Sequence, residues 1–330
     1  MWNFSVAIRT YNGEKRLPLL LEKLRTQINT ENISWEIVIV DNNSTDNTAK
    51  IIKEYQSNWP ELYPIQYYFE PRQGASYARQ RAIKEAKSPL IGFLDDDNLP
   101  SLDWVAKAYA FGQSHPQVGA YNGLIHPIYE VSPPKNFERI ASCLAIIEWP
   151  QTEPFCLNSK KTGGLLPPGA GIVIRKQAWV ENVPDNLELK GPVGGFLTAK
   201  GEDIEAFLYI RNAGWEIWFN PEMHIYHQIS KSRLEKEYLI RLLRGVGLSR
   251  HRTRMLGYKS WQRPLVIPLY MANDLRKVIS HRLKYGKELE ADIVAASEME
   301  MYLGSLESHL LGLREFLKCK KAEKKRSTIV

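Results

Sequence analysis

Apolar and polar positions alternate along the first hundred residues in a way that separates short buried strands from amphipathic helices. The run "FSVAI" from Phe4 is short and β-forming, and "RLPLLLEKLRTQI" then sets Leu17, Leu20, Leu21, Leu24 and Ile28 at helical intervals. "WEIVIVD", "IQYYF" and "PLIGFLD" repeat the strand signal. "STDNTAKIIKEY", with Ser44 or Thr45 as N-cap, and "GASYARQRAIKEAK" repeat the helical one. Such alternation predicts an α/β fold with a mostly parallel central sheet flanked by helices. Open sheets of this type bind ligands beyond the carboxyl ends of their strands. Two of these strands, "IVIVD" and "IGFLDDD", end there in acids.

The middle of the chain is looser. "YEVSPPKN", "EWPQTEPFCLNSKKTGGLLPPGAG" and "VPDNLELKGPVGGFLTAKG" are rich in Pro and Gly and read as long loops. Loops of this length in a compact domain are commonly functional lids or disordered, and residues 131–170 and 184–200 are expected to choose what the site acts on. The helix "EDIEAFLYIRNAG", stopped at Gly214, and the strand "WEIWF" follow. From Ser230 the pattern is helical. Leu234, Tyr238, Leu242 and Val246 form one stripe, and Ala296, Met299, Leu303, Leu306, Leu310, Leu313 and Leu317 form a heptad-like seam. Gly304 and Gly312 weaken that helix, and the seam is expected to pack within the molecule, with a homodimer as the alternative. A boundary is therefore expected between residues 1–230 and 231–330.

Charge sharpens that division. The net charge is +7, yet ten Lys or Arg face two Glu between Lys231 and Arg263, which leaves the rest about neutral. A second basic cluster, "KCKKAEKKR", lies near the C-terminus. Patches of this kind attract anionic headgroups or phosphorylated substrates, or are simply solvated faces. Nucleic-acid-binding signatures are absent. The apolar run at the N-terminus is too short for a signal peptide and has no basic leader, so a cytoplasmic protein is expected. Cys143, Cys156 and Cys319 show no CxxC spacing and are expected to be reduced thiols.

Candidate chemistry gathers at the strand ends. Asp95, Asp96 and Asp97 repel one another unless something positive lies between them. One Asp would suffice to cap the next helix, so a hard divalent cation, Mg²⁺ or Mn²⁺, carrying a diphosphate is the stronger expectation. Asp41 suits either an Asx-turn or a ribose or base contact. Asp203 opens a helix after a Gly-rich loop, where an acid favours the first turn or serves as a general base. His224 and His227 lie three apart after a strand; if the strand continues they point to opposite faces, so only one can join a site, and a lone His also suits a purely structural role. Neither GxGxxG after the first strand nor GxxxxGK[ST] is present.

"SVAIRTYNGEKRLPLLLEKLRTQ", "EIVIVDNNSTDNT", "RQGASYARQRAIKEAKSPLIGFLDDDNLP" and "GEDIEAFLYIRNAGWEIWFNPEMHIYH" together resemble the family 2 glycosyltransferases. The likeness covers residues 4 to about 230. Three further stretches resemble a cyanobacterial branch tied to exopolysaccharide synthesis. The resemblance implies the GT-A fold, a Rossmann-like sheet, here with a C-terminal helical extension. It implies an inverting, metal-dependent hexosyltransferase that moves a sugar from a nucleotide-diphosphate donor to a saccharide or lipid-linked acceptor. By the same resemblance Thr10, Tyr11 and Glu14 line the nucleotide pocket and Asp41 contacts the base. Arg72, Gly74 and Arg79 lie near base and phosphates. Asp95 and Asp96 reach the ribose, Asp97 and His227 hold the metal, and Asp203 is the catalytic base. The chain departs from the commoner pattern with Arg9 before Thr10 and with "DNN" after the second strand, and it lacks the QxxRW of processive synthases. Two other readings predict different behaviour. A sugar-1-phosphate nucleotidyltransferase needs a Gly-rich phosphate loop after the first strand, and a non-catalytic sugar-nucleotide-binding module would bind donor without turnover. The basic segment 231–263, through Arg241, Arg244, Arg250 and Arg252, is expected to draw the protein to an anionic membrane surface on its cytoplasmic face.

Overall fold

The computed structural model describes residues 2–157, 166–191 and 201–327, with side chains as far as residue 312. Parts of both expected acceptor loops, together with Leu313, Leu317, Cys319 and the second basic cluster, therefore fall outside the described residues or side chains. The chain divides into two compact units. One comprises residues 1–133, 144–196 and 202–231, and the other comprises 134–143, 197–201 and 232–330.

The first unit is built on a mixed sheet. Its strands are β1 (Phe4–Thr10), β2 (Trp35–Asp41), β3 (Ile65–Phe69), β4 (Leu90–Asp95), β5 (Asn98–Pro100), β6 (Val118–Tyr129), β7 (Phe155–Cys156), β8 (Val173–Arg175) and β9 (Glu216–Ile229). They lie in the order β3-β2-β1-β4-β8-β6-β9-β5, with β7 beside β9. The β3-β2-β1-β4 block is parallel, as the strand–helix alternation predicts. Beyond it β8 runs antiparallel to both β4 and β6, and β5 and β7 run antiparallel to β9.

The helices of this unit are α1 (Leu17–Arg25), α2 (Thr48–Ser57), α3 (Ala75–Glu85), α4 (Trp104–Ser114), α5 (Lys176–Asn182) and α6 (Glu202–Asn212). Parity along the strands assigns two faces. Gly92 is opposite Val6 in register, and a Cβ there would meet Trp104 of α4 at 2.6 Å and Phe4 at 2.7 Å. Phe93 is opposite Ala7 on the other face, where Arg79 of α3 lies 4.8 Å from its ring centre. The sheet is thus covered on both sides, which explains why β2 is buried at every position instead of alternating.

The second unit contains α7 (Lys236–Met255), α8 (Arg263–Tyr285) and α9 (Ile293–Ser327). The glycines that weaken α9 as a helix are what bring it against α7. A Cβ on Gly247 would lie 2.4 Å from the Met301 carbonyl oxygen, and one on Gly304 would lie 2.8 Å from that of Arg244. Part of the basic segment is paired within this unit, while Arg241 stays exposed. Arg244 pairs with Glu300 at 2.6 Å and with Glu307, Arg254 with Asp274 at 2.6 Å, and Arg250 rests on the Met301 sulfur at 3.2 Å. No described helix is long and apolar enough to cross a membrane.

Candidate active site

The carboxyl ends of β1, β2 and β4 meet in register, Thr10 opposite Asp41 and Arg9 opposite Asp95. This juxtaposition explains most of the acid run at Asp95–Asp97. Arg9 donates to Asp95 at 2.5 Å. Asp96 accepts from Arg16 Nε at 2.7 Å and Nη2 at 3.0 Å, and from the Thr10 hydroxyl at 2.7 Å. Two of the three carboxylates are therefore matched by arginines of β1 and the β1–α1 loop. Burial pushes the Asp96 carboxyl up, with the Asp97 charge adding to it and Arg16 opposing. Arg9 and Arg16 escaped sequence reading because their acids lie eighty or more residues away; only the departure from the commoner pattern at Arg9 hinted at the first.

Asp97 is placed differently. Its Oδ1 accepts from Asn98 at 2.9 Å, and its Oδ2 lies 3.6 Å from Nε2 of His227. His227 reaches it because β5 folds back on β9 with Asn98 opposite His227. Three residues earlier His224 points away and bonds His126 at 2.9 Å, as strand alternation requires. Burial, then the neighbouring His126, lowers its pKa. The Asp97–His227 spacing suits two neighbouring ligands of one cation, since donors about 2.1 Å from an ion and roughly 90–120° apart are separated by about 3.0–3.6 Å. The donor set, one carboxylate oxygen and one imidazole nitrogen, is compatible with Mn²⁺. Among the described residues no group of three or more His, Cys, Asp or Glu is arranged to hold an ion.

Asp203 lies in the first turn of α6, its Oδ2 accepting from the Gly169 N–H at 2.7 Å and its Oδ1 from the Ile204 N–H at 2.8 Å. A Cβ on Gly169 would lie 2.5 Å from Arg79 Nη2 and 2.9 Å from Asp203 Oδ2, so both side chains close on this glycine. Arg79 is 1% exposed, and none of its three guanidinium nitrogens has a hydrogen-bond partner among the described residues. Burial, then the nearby Arg9 charge, lowers its pKa to about 10, against the pull of Asp203, Glu202 and Asp95. Glu202 lies 3.7 Å from Arg9. Burial, then Asp203, pushes its carboxyl up. Sequence reading passed over Glu202 and Gly169, although "GED" and "PPGAG" were both in view.

The remaining candidates lie at the ends of β1 and β2 and in the loop before α3. Asp41 accepts from the Ser44 N–H at 2.9 Å and from Tyr67 OH at 3.1 Å, so it does serve as a turn acceptor. Burial, then the Asp41 charge, pushes Tyr67 up to about 12. Asn42 grips the loop of Arg72 and Gly74, donating to the Arg72 carbonyl at 2.7 Å and accepting from the Gly74 N–H at 2.8 Å. Gly74 has φ +139°, a conformation that suits glycine, and it begins α3. The exposed Arg72 side chain pairs with Glu70 at 2.8 Å and stacks on Tyr77. Glu14 accepts from Asn47 at the start of α2, at 3.0 Å and 3.1 Å, and the Tyr11 carbonyl accepts from Arg16 at 3.2 Å.

The profile of the family described as "Glycosyl transferase family 2" matches residues 5–179. An uncharacterized glycosyltransferase, YfnE of Bacillus subtilis, is 31% identical over 103 residues, 31% of this chain and 25% of that protein. The poly(ribitol-phosphate) beta-N-acetylglucosaminyltransferase TarS of Staphylococcus aureus is 30% identical over 115 residues, 35% of this chain and 20% of TarS. The chain thus spans about a quarter or less of the length of these curated relatives. Among solved structures, the mannosyltransferase PcManGT of Pyrobaculum calidifontis, in complex with GDP-Man and Mn²⁺, superposes with a TM-score of 0.54. That match is at 17% identity and covers 94% of this chain and 86% of that one. TarS 1–349 in complex with UDP-GlcNAc gives 0.51 at 18% identity, covering 94% and 92%. These structural likenesses establish the GT-A fold.

Proposed function

The chain belongs to glycosyl transferase family 2 over residues 5–179, and from that premise we propose that it transfers a sugar from a nucleotide-diphosphate donor to a hydroxyl of a saccharide or lipid-linked saccharide, with inversion. The observation that carries the reading is Arg79, a buried guanidinium without a described hydrogen-bond partner, next to Asp203. A charge this deep and this poorly matched is costly unless an anion completes it. A donor diphosphate at the strand ends is such an anion, and PcManGT and TarS were solved with GDP-Man and UDP-GlcNAc respectively.

In this reading the carboxyl ends of β1 and β2 receive the nucleoside, with Thr10, Tyr11, Glu14, Asp41, Arg72 and Gly74 forming the pocket and its supports. Asp95 reaches the ribose from its bond to Arg9, and Asp96, held by Arg16 and Thr10, fixes the wall behind it. Arg79 binds the diphosphate. Asp203 takes the proton from the acceptor hydroxyl as that oxygen attacks the anomeric carbon, so one bond forms as the glycosidic phosphate bond breaks. The Gly169 N–H on Oδ2 fixes the carboxylate's direction. Asp97 and His227 are the residues that would hold Mn²⁺ or Mg²⁺, which supplies Lewis-acid neutralisation of the leaving diphosphate. Glycan assembly of the exopolysaccharide type, on the cytoplasmic face of a membrane, suits the predicted acceptor classes.

The test is a release and transfer assay over a panel of UDP-, GDP- and dTDP-sugars, each with Mg²⁺, Mn²⁺ or EDTA. Nucleoside diphosphate should appear with at least one donor and fall at least about tenfold in EDTA. Donor binding without release would indicate a binding module, and pyrophosphate release would indicate a nucleotidyltransferase.

A further inference from the structure

Helix α8 turns a row of apolar side chains outward as well as inward. The residues it buries include Asp274 and His281, while Leu265, Leu269, Leu275, Ile279 and Leu283 face solvent. At 100° per residue these five fall within an arc of about 120°. Leu265, Leu269 and Leu283 are 66%, 70% and 80% exposed, and Trp261, just before the helix, is 68% exposed. The inner side combines Val278, packed against Leu289, Ala295 and Met299, with polar bonds. Arg254 of α7 grips both oxygens of Asp274 at 2.6 and 3.0 Å, and Ser305 of α9 donates to the same carboxylate at 2.6 Å. His281 bonds the Ala295 carbonyl at 2.8 Å. An ordinary surface helix turns its apolar stripe inward. A stripe turned outward over this length marks an interaction surface.

Charge identifies what covers it. The helix carries Arg263, Arg276, Lys277, Arg282 and Lys284 against one acid, Asp274, whose charge is already matched by Arg254. Arg276 lies within the stripe, and Arg282 and Lys284 flank it, all three exposed. We propose that α8 lies flat in the boundary of an anionic lipid surface, with its Leu and Ile side chains among the acyl chains and its cations at the headgroups. Long cationic side chains reach up to headgroups from such a stripe, and Trp261 suits the interface depth. A second copy of the chain fits worse, because a two-fold contact through this face would set the same cations against themselves. An anionic surface neutralises them. The inference places the membrane contact on α8, and it holds whatever reaction the first unit performs.

The test is flotation of the full chain with phosphatidylcholine vesicles, with and without phosphatidylglycerol, and no donor present. The parent should float with the anionic vesicles only. The triple variant Leu265→Gln/Leu269→Gln/Leu283→Gln should lose at least about tenfold in partitioning while its melting temperature is kept, since all three side chains are exposed. Arg276→Gln/Lys284→Gln should weaken binding and flatten its dependence on salt. A parent that does not float, or a triple variant that floats as well as the parent, overturns the proposal. So does a dimer in sedimentation equilibrium without lipid that the triple variant dissociates, which would assign the face to a second copy.

Discussion

Replacing Arg79 by Met should make the free protein more stable and the enzyme worse. Its guanidinium is buried with no hydrogen-bond partner among the described residues, and its pKa falls from 12.5 to about 10. That fall corresponds to about 3 kcal/mol against the charged form at about 1.36 kcal/mol per tenfold. The folded value lies below the unfolded one, so the cost is fully present below about pH 10 and is relieved only as pH rises from there toward 12.5. Near pH 7, removing the charge recovers it. Loss of the stacking on Phe93 takes back about 0.5–1 kcal/mol and imperfect packing of Met about 1 kcal/mol. The net is about 1–2 kcal/mol of added stability, a rise of a few degrees at roughly 2–4 °C per kcal/mol. A charged contact to phosphate contributes about 1.5–3 kcal/mol, so nucleoside diphosphate should bind about 10–150-fold more weakly. Thermal melts with and without UDP or GDP, together with titration calorimetry, read both quantities. A variant that melts below the parent and binds nucleotide unchanged would refute the reasoning and make Arg79 a structural cation.

Asp203→Asn should lower kcat by at least about 10²-fold while donor affinity, read by calorimetry, stays near the parent's. Gly169→Ala places a methyl 2.5 Å from Arg79 Nη2 and 2.9 Å from Asp203 Oδ2. It should cost at least about tenfold in kcat/KM in transfer assays, because both groups must shift. Glu202 has its carboxyl pushed up by burial and Asp203, so its contribution to stability is fullest below the unfolded value of 4.5 and is lost as pH rises through the higher folded value. Glu202→Gln should therefore raise the melting temperature near pH 8 and leave it almost unchanged near pH 4.

Much of the parallel half of the sheet was legible from periodicity alone. β1, β2, β3 and β4 match "FSVAI", "WEIVIVD", "IQYYF" and "PLIGFLD" because fully covered strands need continuous apolar runs. β8 was not legible. Its three residues follow a Gly- and Pro-rich stretch and become a strand only between β4 and β6. β9 runs to fourteen residues, where "WEIWF" alone suggests five, because β5, β6 and β7 pair along its length.

The site divides in the same way. Acids at the tips of β2 and β4, and an acid at the start of α6, follow from local pattern, and so does the choice of only one histidine from "HIYH". The partners of those acids do not. The three neighbouring carboxylates suggested a single cation, yet the register of β1 against β4 gives Asp95 to Arg9, and the β1–α1 loop gives Asp96 to Arg16. Asp97 instead lies beside His227. Strand and helix periods are properties of a few consecutive residues, so the sequence by itself determined where elements form and which ends carry acids. Which charge meets which depends on register between segments eighty residues apart, and the burial of Arg79 depends on how α3 packs over Phe93 on the sheet. Those were decided only when the sheet closed, because Coulomb and desolvation energies act through space and not along the chain.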